Sequence, residues 1–141
     1  MARPTVFLDT SFIVALENTN DPHHKKAKKL DTTLLKQKAT LLLHSGILLE
    51  IGDGFARLER RQKGIELLAR FHREDGYHIA QITNEVLHEA HELYSNREDK
   101  EWGLTDCVSF VLMKQEGIKE ALTADLHFRQ AGFKALLLEA P

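Results

Sequence analysis

Near the start of the chain, Thr5-Val6-Phe7-Leu8 runs without polar alternation straight into Asp9-Thr10-Ser11. A short apolar run with no polar alternation within it suits a strand buried on both faces, as in a parallel sheet. Ligands of open α/β sheets collect just beyond the carboxyl ends of such strands. Asp9 is expected at that edge, and the question for the rest of the chain is which other acids can reach it.

The chain continues as helix and strand in turn. Phe12-Ile13-Val14-Ala15-Leu16 reads as a short buried helix, and Asn18-Thr19-Asn20-Asp21-Pro22 is turn chemistry that ends it. Residues 23–38 are helical and strongly basic, with Ala27, Leu30, Leu34 and Leu35 at helix spacing. Thr40-Leu41-Leu42-Leu43-His44 is a second apolar strand. The next helix starts at Ser45 as N-cap, with Ile47, Leu48, Ile51, Phe55 and Leu58 on one stripe and Glu50 at its border. Residues 57–64 read as a basic helix end closing on Gly64, and residues 65–73 as a separate amphipathic helix. Gly76 precedes a third strand over 77–82, and 84–94 is helical with Val86, Leu87, Ala90, Leu93 and Tyr94 inward.

A charged loop over 96–101 leads into a helix over 104–113 that is apolar on nearly every side, which marks it as the central buried helix. Asp106 lies in its first turn. Gly117 ends it, residues 120–123 form a short strand, 124–130 a small helix and 133–138 a last strand. This alternation predicts one domain over 1–141, a three-layer α/β/α sandwich around a mainly parallel sheet.

A chain of 141 residues with 43% apolar and 28% charged content is ordinary for a soluble globular protein with a core of its own. The single cysteine, Cys107, excludes an intrachain disulfide framework and points to a reducing compartment. No apolar run reaches the length of a membrane span, and Met1-Ala2-Arg3-Pro4 does not read as a signal peptide, so a cytoplasmic protein with no membrane partner is expected. A net charge of −2 gives no global nucleic-acid signature, so any basic surface must be local.

Asp9 and Asp125 follow apolar strands, Asp106 opens a helix with little other reason to carry charge inward, and Glu50 flanks the helix after the second strand. Carboxylates gathered at one edge repel one another, so some must protonate or a cation must balance them. Hard oxygen ligands in such number suit Mg²⁺ or Mn²⁺ rather than zinc. Ions held that way keep waters, one of which can become an attacking hydroxide, the arrangement used to hydrolyse phosphodiesters. Each acid also has a plainer role. Asp9 and Asp125 suit helix N-caps, Asp106 suits a helix dipole, and Glu50 suits a solvated helix face.

The same residues carry a family resemblance. Phe7-Leu8-Asp9-Thr10-Ser11, Leu48-Leu49-Glu50-Ile51, Trp102 through Thr105-Asp106-Cys107 to Phe110, and Leu122-Thr123-Ala124-Asp125-Leu126-His127-Phe128 with Ala131-Gly132-Phe133 resemble the four motifs of PIN-domain proteins, specifically the VapC-type toxins of type II toxin–antitoxin systems. The resemblance implies a PIN-like fold and a Mg²⁺- or Mn²⁺-dependent endoribonuclease, with Asp9, Glu50, Asp106 and Asp125 as catalytic and metal-binding acids. Thr10, Ser11 or Thr123 would be the hydroxyls that support them. It also implies an RNA substrate, a small antitoxin partner and a homodimer. The alternatives are a non-catalytic PIN scaffold that binds RNA or protein, and a phosphatase with Asp9 as nucleophile. The phosphatase motif wants a second aspartate where this chain has Ser11.

Other clusters have two readings each. The run from His23 to Lys29 is a phosphate-holding segment or a solvated helix face. Arg57, Arg60, Arg61 and Lys63 guide an RNA backbone or serve a helix C-terminus. His127 and Arg129 contact a phosphate, or His127 is packed. Asp99 stands in reserve for the acidic rim, its plainer role being a solvated loop residue. His88 and His91 lack the spacing of a zinc protease and read as an exposed face. Cys107 reads as inert packing.

Overall fold

The computed structural model describes residues 3–140. Met1 and Ala2, on which the reading of the opening residues partly falls, lie outside the described residues, as does Pro141. The elements are β1 (Thr5–Leu8), α1 (Thr10–Glu17), α2 (His24–Lys36), β2 (Thr40–His44), α3 (Ser45–Gly54), α4 (Leu58–Arg73), β3 (Tyr77–Ala80), α5 (Asn84–Asn96), α6 (Leu104–Glu116), β4 (Glu120–Leu122), α7 (Leu126–Gln130) and β5 (Lys134–Ala135). A single 3₁₀ turn, Leu136–Leu138, follows β5.

The five strands form one sheet in the order β3-β2-β1-β4-β5. Every pairing is parallel, beyond the mainly parallel sheet expected. The chain builds outward from β1 through β2 to β3, then returns to the other side of β1 with β4 and β5. The strand order therefore reverses between β1 and β4, which is where an open α/β sheet leaves a crevice at its carboxyl edge. Pairing of Leu8 with Leu122 sets the register there. The Asp9 N–H extends that ladder by donating to the Leu122 carbonyl (3.2 Å).

β1 is apolar on both faces because both are covered: Val6, Phe7 and Leu8 are buried. α6 is apolar all round for the same reason, with every side chain from Cys107 to Met113 buried. It packs on α5. It ends at Gly117, whose φ of 68° is a left-handed conformation that costs glycine little.

Five sequence expectations give way. Residues 57–64 are not a helix end: α4 runs unbroken from Leu58 to Arg73, and the break lies at residues 55–57. Gly64 sits inside α4 because Phe55 crosses it, and a Cβ there would lie 2.8 Å from the Phe55 Cβ. Leu58 is accordingly not on the α3 stripe but 90% exposed at the start of α4. The N-cap of α3 is His44 rather than Ser45, its ring accepting from the Gly46 N–H. On α5, Val86 and Ala90 are buried while Leu87 and Tyr94 face solvent. The last strand is two residues long before the 3₁₀ turn takes over.

Candidate metal and catalytic site

Asp9 is the N-cap residue of α1, yet its carboxylate makes no capping bond. The plainer role for it is therefore not the one it performs. Its Oδ2 instead accepts from Ser11 Oγ (2.9 Å) and from Thr123 Oγ1 (2.8 Å). With both protons committed to Asp9, the 3.1 Å approach of the two hydroxyls to each other is a contact without a proton between them. Backbone N–H groups complete the lattice: Ala124 donates to Ser11 Oγ and Asp125 to Thr123 Oγ1, each at 3.0 Å. Asp9 is only 8% exposed. Burial pushes its carboxyl up from 3.8 to about 6, the Thr123 and Ser11 hydrogen bonds oppose the rise, and the charges of Glu50 and Asp125 add to it.

The other three acids flank this hub. Glu50, on the exposed side of α3, accepts from Thr10 Oγ1 through Oε1 (2.8 Å). Asp125 caps α7, its Oδ1 accepting from the His127 N–H (2.9 Å). Asp106 accepts the Gly103 N–H on Oδ2 (3.1 Å), so the expected helix-opening role is real. The same Oδ2 lies 2.9 Å from His127 Nδ1, which is 3.4 Å from Asp125 Oδ1. One donor atom from each of Asp106, Asp125 and His127 lies within 4.8 Å of the others, a group able to hold a metal ion. Asp9 and Glu50 stand outside that group but close enough for Glu50 and Asp125 both to raise the Asp9 carboxyl. The structure thus gathers the four expected acids around one sheet edge, with Asp9 at the centre, and adds a histidine.

A groove of about 330 Å³ opens beside Glu50, lined by Thr10, Val14, Ile51, Phe55 and Arg60 among others. The Arg60 guanidinium lies 5.7 Å from the centre of the Phe55 ring, and both residues line the groove. Arg57 is the N-cap residue of α4, and Arg60, Arg61 and Lys63 lie in its first half, so they do not serve a helix C-terminus. Lys63 pairs with Glu17 (3.4 Å) and Arg61 donates to the Ala56 carbonyl, which leaves Arg60 as the member that faces the groove. Asp99 does not join the acids: both its oxygens bind Arg97, at 2.9 and 3.0 Å, and this hydrogen bonding holds its carboxyl down at about 2.

Two histidines matter more than the sequence revealed. The sequence offers His127 as a phosphate contact or a packed residue, and the structure turns it to Asp106 and Asp125. His44, at the end of an apolar strand, is fully buried. Gly46 N–H donates to its Nδ1, so Nε2 carries the hydrogen and donates to Ser109 Oγ (2.9 Å). Ser109 in turn donates to the Thr105 carbonyl (3.1 Å), next to Asp106. Burial pushes the His44 pKa down from 6.5 to about 4, which keeps the ring neutral and the relay in one direction. A histidine closing a strand gives no local sign of this, because its partner is 65 residues away.

Comparison with known proteins agrees with this geometry. The family model described as the PIN domain matches residues 6–134. The 23S rRNA-specific endonuclease VapC20 of Mycobacterium tuberculosis is 28% identical over 130 residues, covering 91% of this chain and 95% of the relative. The crystal structure of VapC20, described as a sarcin-ricin loop cleaving toxin, superposes with a TM-score of 0.81 at 26% identity, covering 91% of this chain and 95% of that one. The structure of VapBC2 from Rickettsia felis, bound to a promoter DNA fragment, shares the fold at a TM-score of 0.67 and 16% identity, covering 93% of this chain and 96% of that one. With the family's model spanning nearly its whole length and its acids gathered at the carboxyl edge of a parallel sheet, the chain belongs to the PIN-domain family.

Proposed function

We propose that the protein is an endoribonuclease toxin that hydrolyses RNA phosphodiester bonds with Asp9, Glu50, Asp106 and Asp125 as its acidic machinery and Mg²⁺ or Mn²⁺ as its cofactor. The observation that carries this reading is the Asp9 carboxyl at the sheet's crevice, pushed up to about 6 first by burial and then by the nearby charges of Glu50 and Asp125. Negative charge so concentrated calls for a cation, and the donor set is mainly hard oxygen, which fits a small divalent ion. Asp106 and Asp125 would hold it, with Asp9 and Glu50 completing the charge around it. When bound, such an ion polarises a phosphoryl oxygen and supplies a water of lowered pKa.

The chain's own residues do the rest. Ser11 and Thr123 fix the orientation of Asp9, and Thr10 fixes that of Glu50. Arg60 offers a fork of donors for a phosphate in the groove that leads to Glu50. Similarity to VapC20 makes ribosomal RNA the first substrate to try. The same reading carries a small antitoxin that covers the site, a homodimer and action in the cytoplasm, where the RNA is.

The test is cleavage of RNA, with 23S rRNA included, in Mg²⁺, in Mn²⁺ and after chelation. Cutting is expected only with metal, and Asp9→Asn or Asp106→Asn is expected to lower its rate about 10²–10⁴-fold, the scale of lost acid–base or electrostatic stabilisation. RNA bound but never cut, with or without metal, would leave a binding scaffold instead.

A further inference from the structure

We propose that His127 is itself a ligand of the divalent ion, its Nδ1 joining Asp106 and Asp125 in a mixed nitrogen–oxygen set that favours Mn²⁺ over Mg²⁺. The inference rests on the metal-dependent reading above and adds a residue and a metal preference to it.

The argument begins with how the ring is held. α7 starts directly after its cap, Asp125, and the His127 N–H is tied to that cap's Oδ1. The next residue, Phe128, is fully buried, with its ring 5.8 Å from Phe7 and 5.0 Å from Phe110. An anchor one residue away fixes the turn, so the His127 ring points where the backbone sends it. It points between two carboxylates that belong to different elements, 2.9 Å from Asp106 and 3.4 Å from Asp125. The side chain is 30% exposed, so it is neither core packing nor a freely solvated group.

An exposed His–Asp pair is an ordinary surface feature of little energetic consequence. Three points set this one apart. The ring nitrogen meets two acids rather than one. One of them, Asp125, borders the Asp9 hub, where its charge adds to the rise of the Asp9 carboxyl. All three donor atoms share a span that can face a single ion. In this structure Nδ1–H donates to the Asp106 carboxylate. Ligation requires the other tautomer, with hydrogen on Nε2, and the partly exposed ring can adopt it against solvent. Carboxylates and water alone suit Mg²⁺ as well as Mn²⁺, whereas an imidazole shifts a site towards transition metals.

Tag-free protein stripped of metal tests this in two measurements. Calorimetric titration gives the affinities for Mn²⁺ and Mg²⁺, and pulsed electron paramagnetic resonance of the Mn²⁺-loaded protein reports nitrogen bonded to the ion. Wild type is expected to show ¹⁴N coupling that disappears in His127→Ala, while Mn²⁺ affinity falls about 10–100-fold and Mg²⁺ affinity changes by less than about threefold. A circular dichroism spectrum and melting temperature near those of wild type show that the variant is folded. Mn²⁺ binding that Asp106→Asn abolishes but that carries no ¹⁴N coupling would overturn the proposal. An equal loss of both metals in His127→Ala would also overturn it, because His127 would then only steady the Asp106 carboxylate. In either case the nuclease reading survives. Wild type that binds neither ion would end both.

Discussion

Asp9 shows how one side chain is made costly and then used. It titrates at 3.8 when unperturbed and at about 6 in the folded chain, so the folded state binds its proton more tightly. The stability linked to that proton is fully present below pH 3.8 and is lost as pH rises through 6. At neutral pH the ionised group opposes folding by about 3 kcal/mol. Asp9→Asn is therefore expected to raise the melting temperature at pH 7.5, with the gain fading towards pH 4, even as it removes cleavage. Thermal melts across that range check it, and an asparagine variant that is less stable at pH 7.5 would show that the two hydroxyl bonds outweigh burial.

Between elements, small contacts decide where helices start and how they meet. Gly64 lets α4 cross Phe55, and Gly64→Ala would gain about 0.5–1 kcal/mol of helix propensity against about 1–3 kcal/mol of overpacking. A net loss of about 1 kcal/mol in urea denaturation is expected, with cleavage retained. The His44 relay joins the β2–α3 junction to the first turn of α6 through Ser109 and Thr105. Its pKa falls from 6.5 to about 4 on folding, so the stability linked to its neutral form is present above pH 6.5 and lost as pH falls through 4. His44→Gln is expected to melt lower than wild type at pH 7.5 yet to lose less stability between pH 6.5 and 4. Because Asp9 carries the opposite slope over much of that window, Asp9→Asn should steepen the fall on acidification. Melting curves of both single variants separate the two groups.

Across the whole molecule, acids drawn from four segments repel one another, and only a ligand relieves them together. A saturating divalent ion is expected to raise the melting temperature, by about 2.7 kcal/mol of stability at a hundred times its Kd. Chelation should reverse the rise, and Asp106→Asn should abolish it. Fluorimetric melts with Mn²⁺, Mg²⁺ and chelator check this, and a melting temperature indifferent to both ions would contradict a shared metal site. One buried cluster runs from Val6 to Leu137, so the strands that carry Asp9 and Asp125 at their ends share a single core. Among the described residues no helix is long and apolar enough to cross a membrane.

The sequence by itself determined the alternation of strand and helix, the burial of β1 and α6, and which acids stand at strand ends, because apolar period and turn chemistry are local. It also carried the motifs that mark the family. It misplaces the α3–α4 break, since the glycine that reads as a helix end is there for a contact nine residues back, which no local rule records. Only the tertiary structure decided that Asp9 is held by Ser11 and Thr123 rather than capping α1, that Arg60 alone of its cluster faces the groove, and that His127 turns to Asp106. The reason is register: a parallel sheet brings residues more than a hundred positions apart level with each other, and side-chain chemistry is settled by what stands opposite.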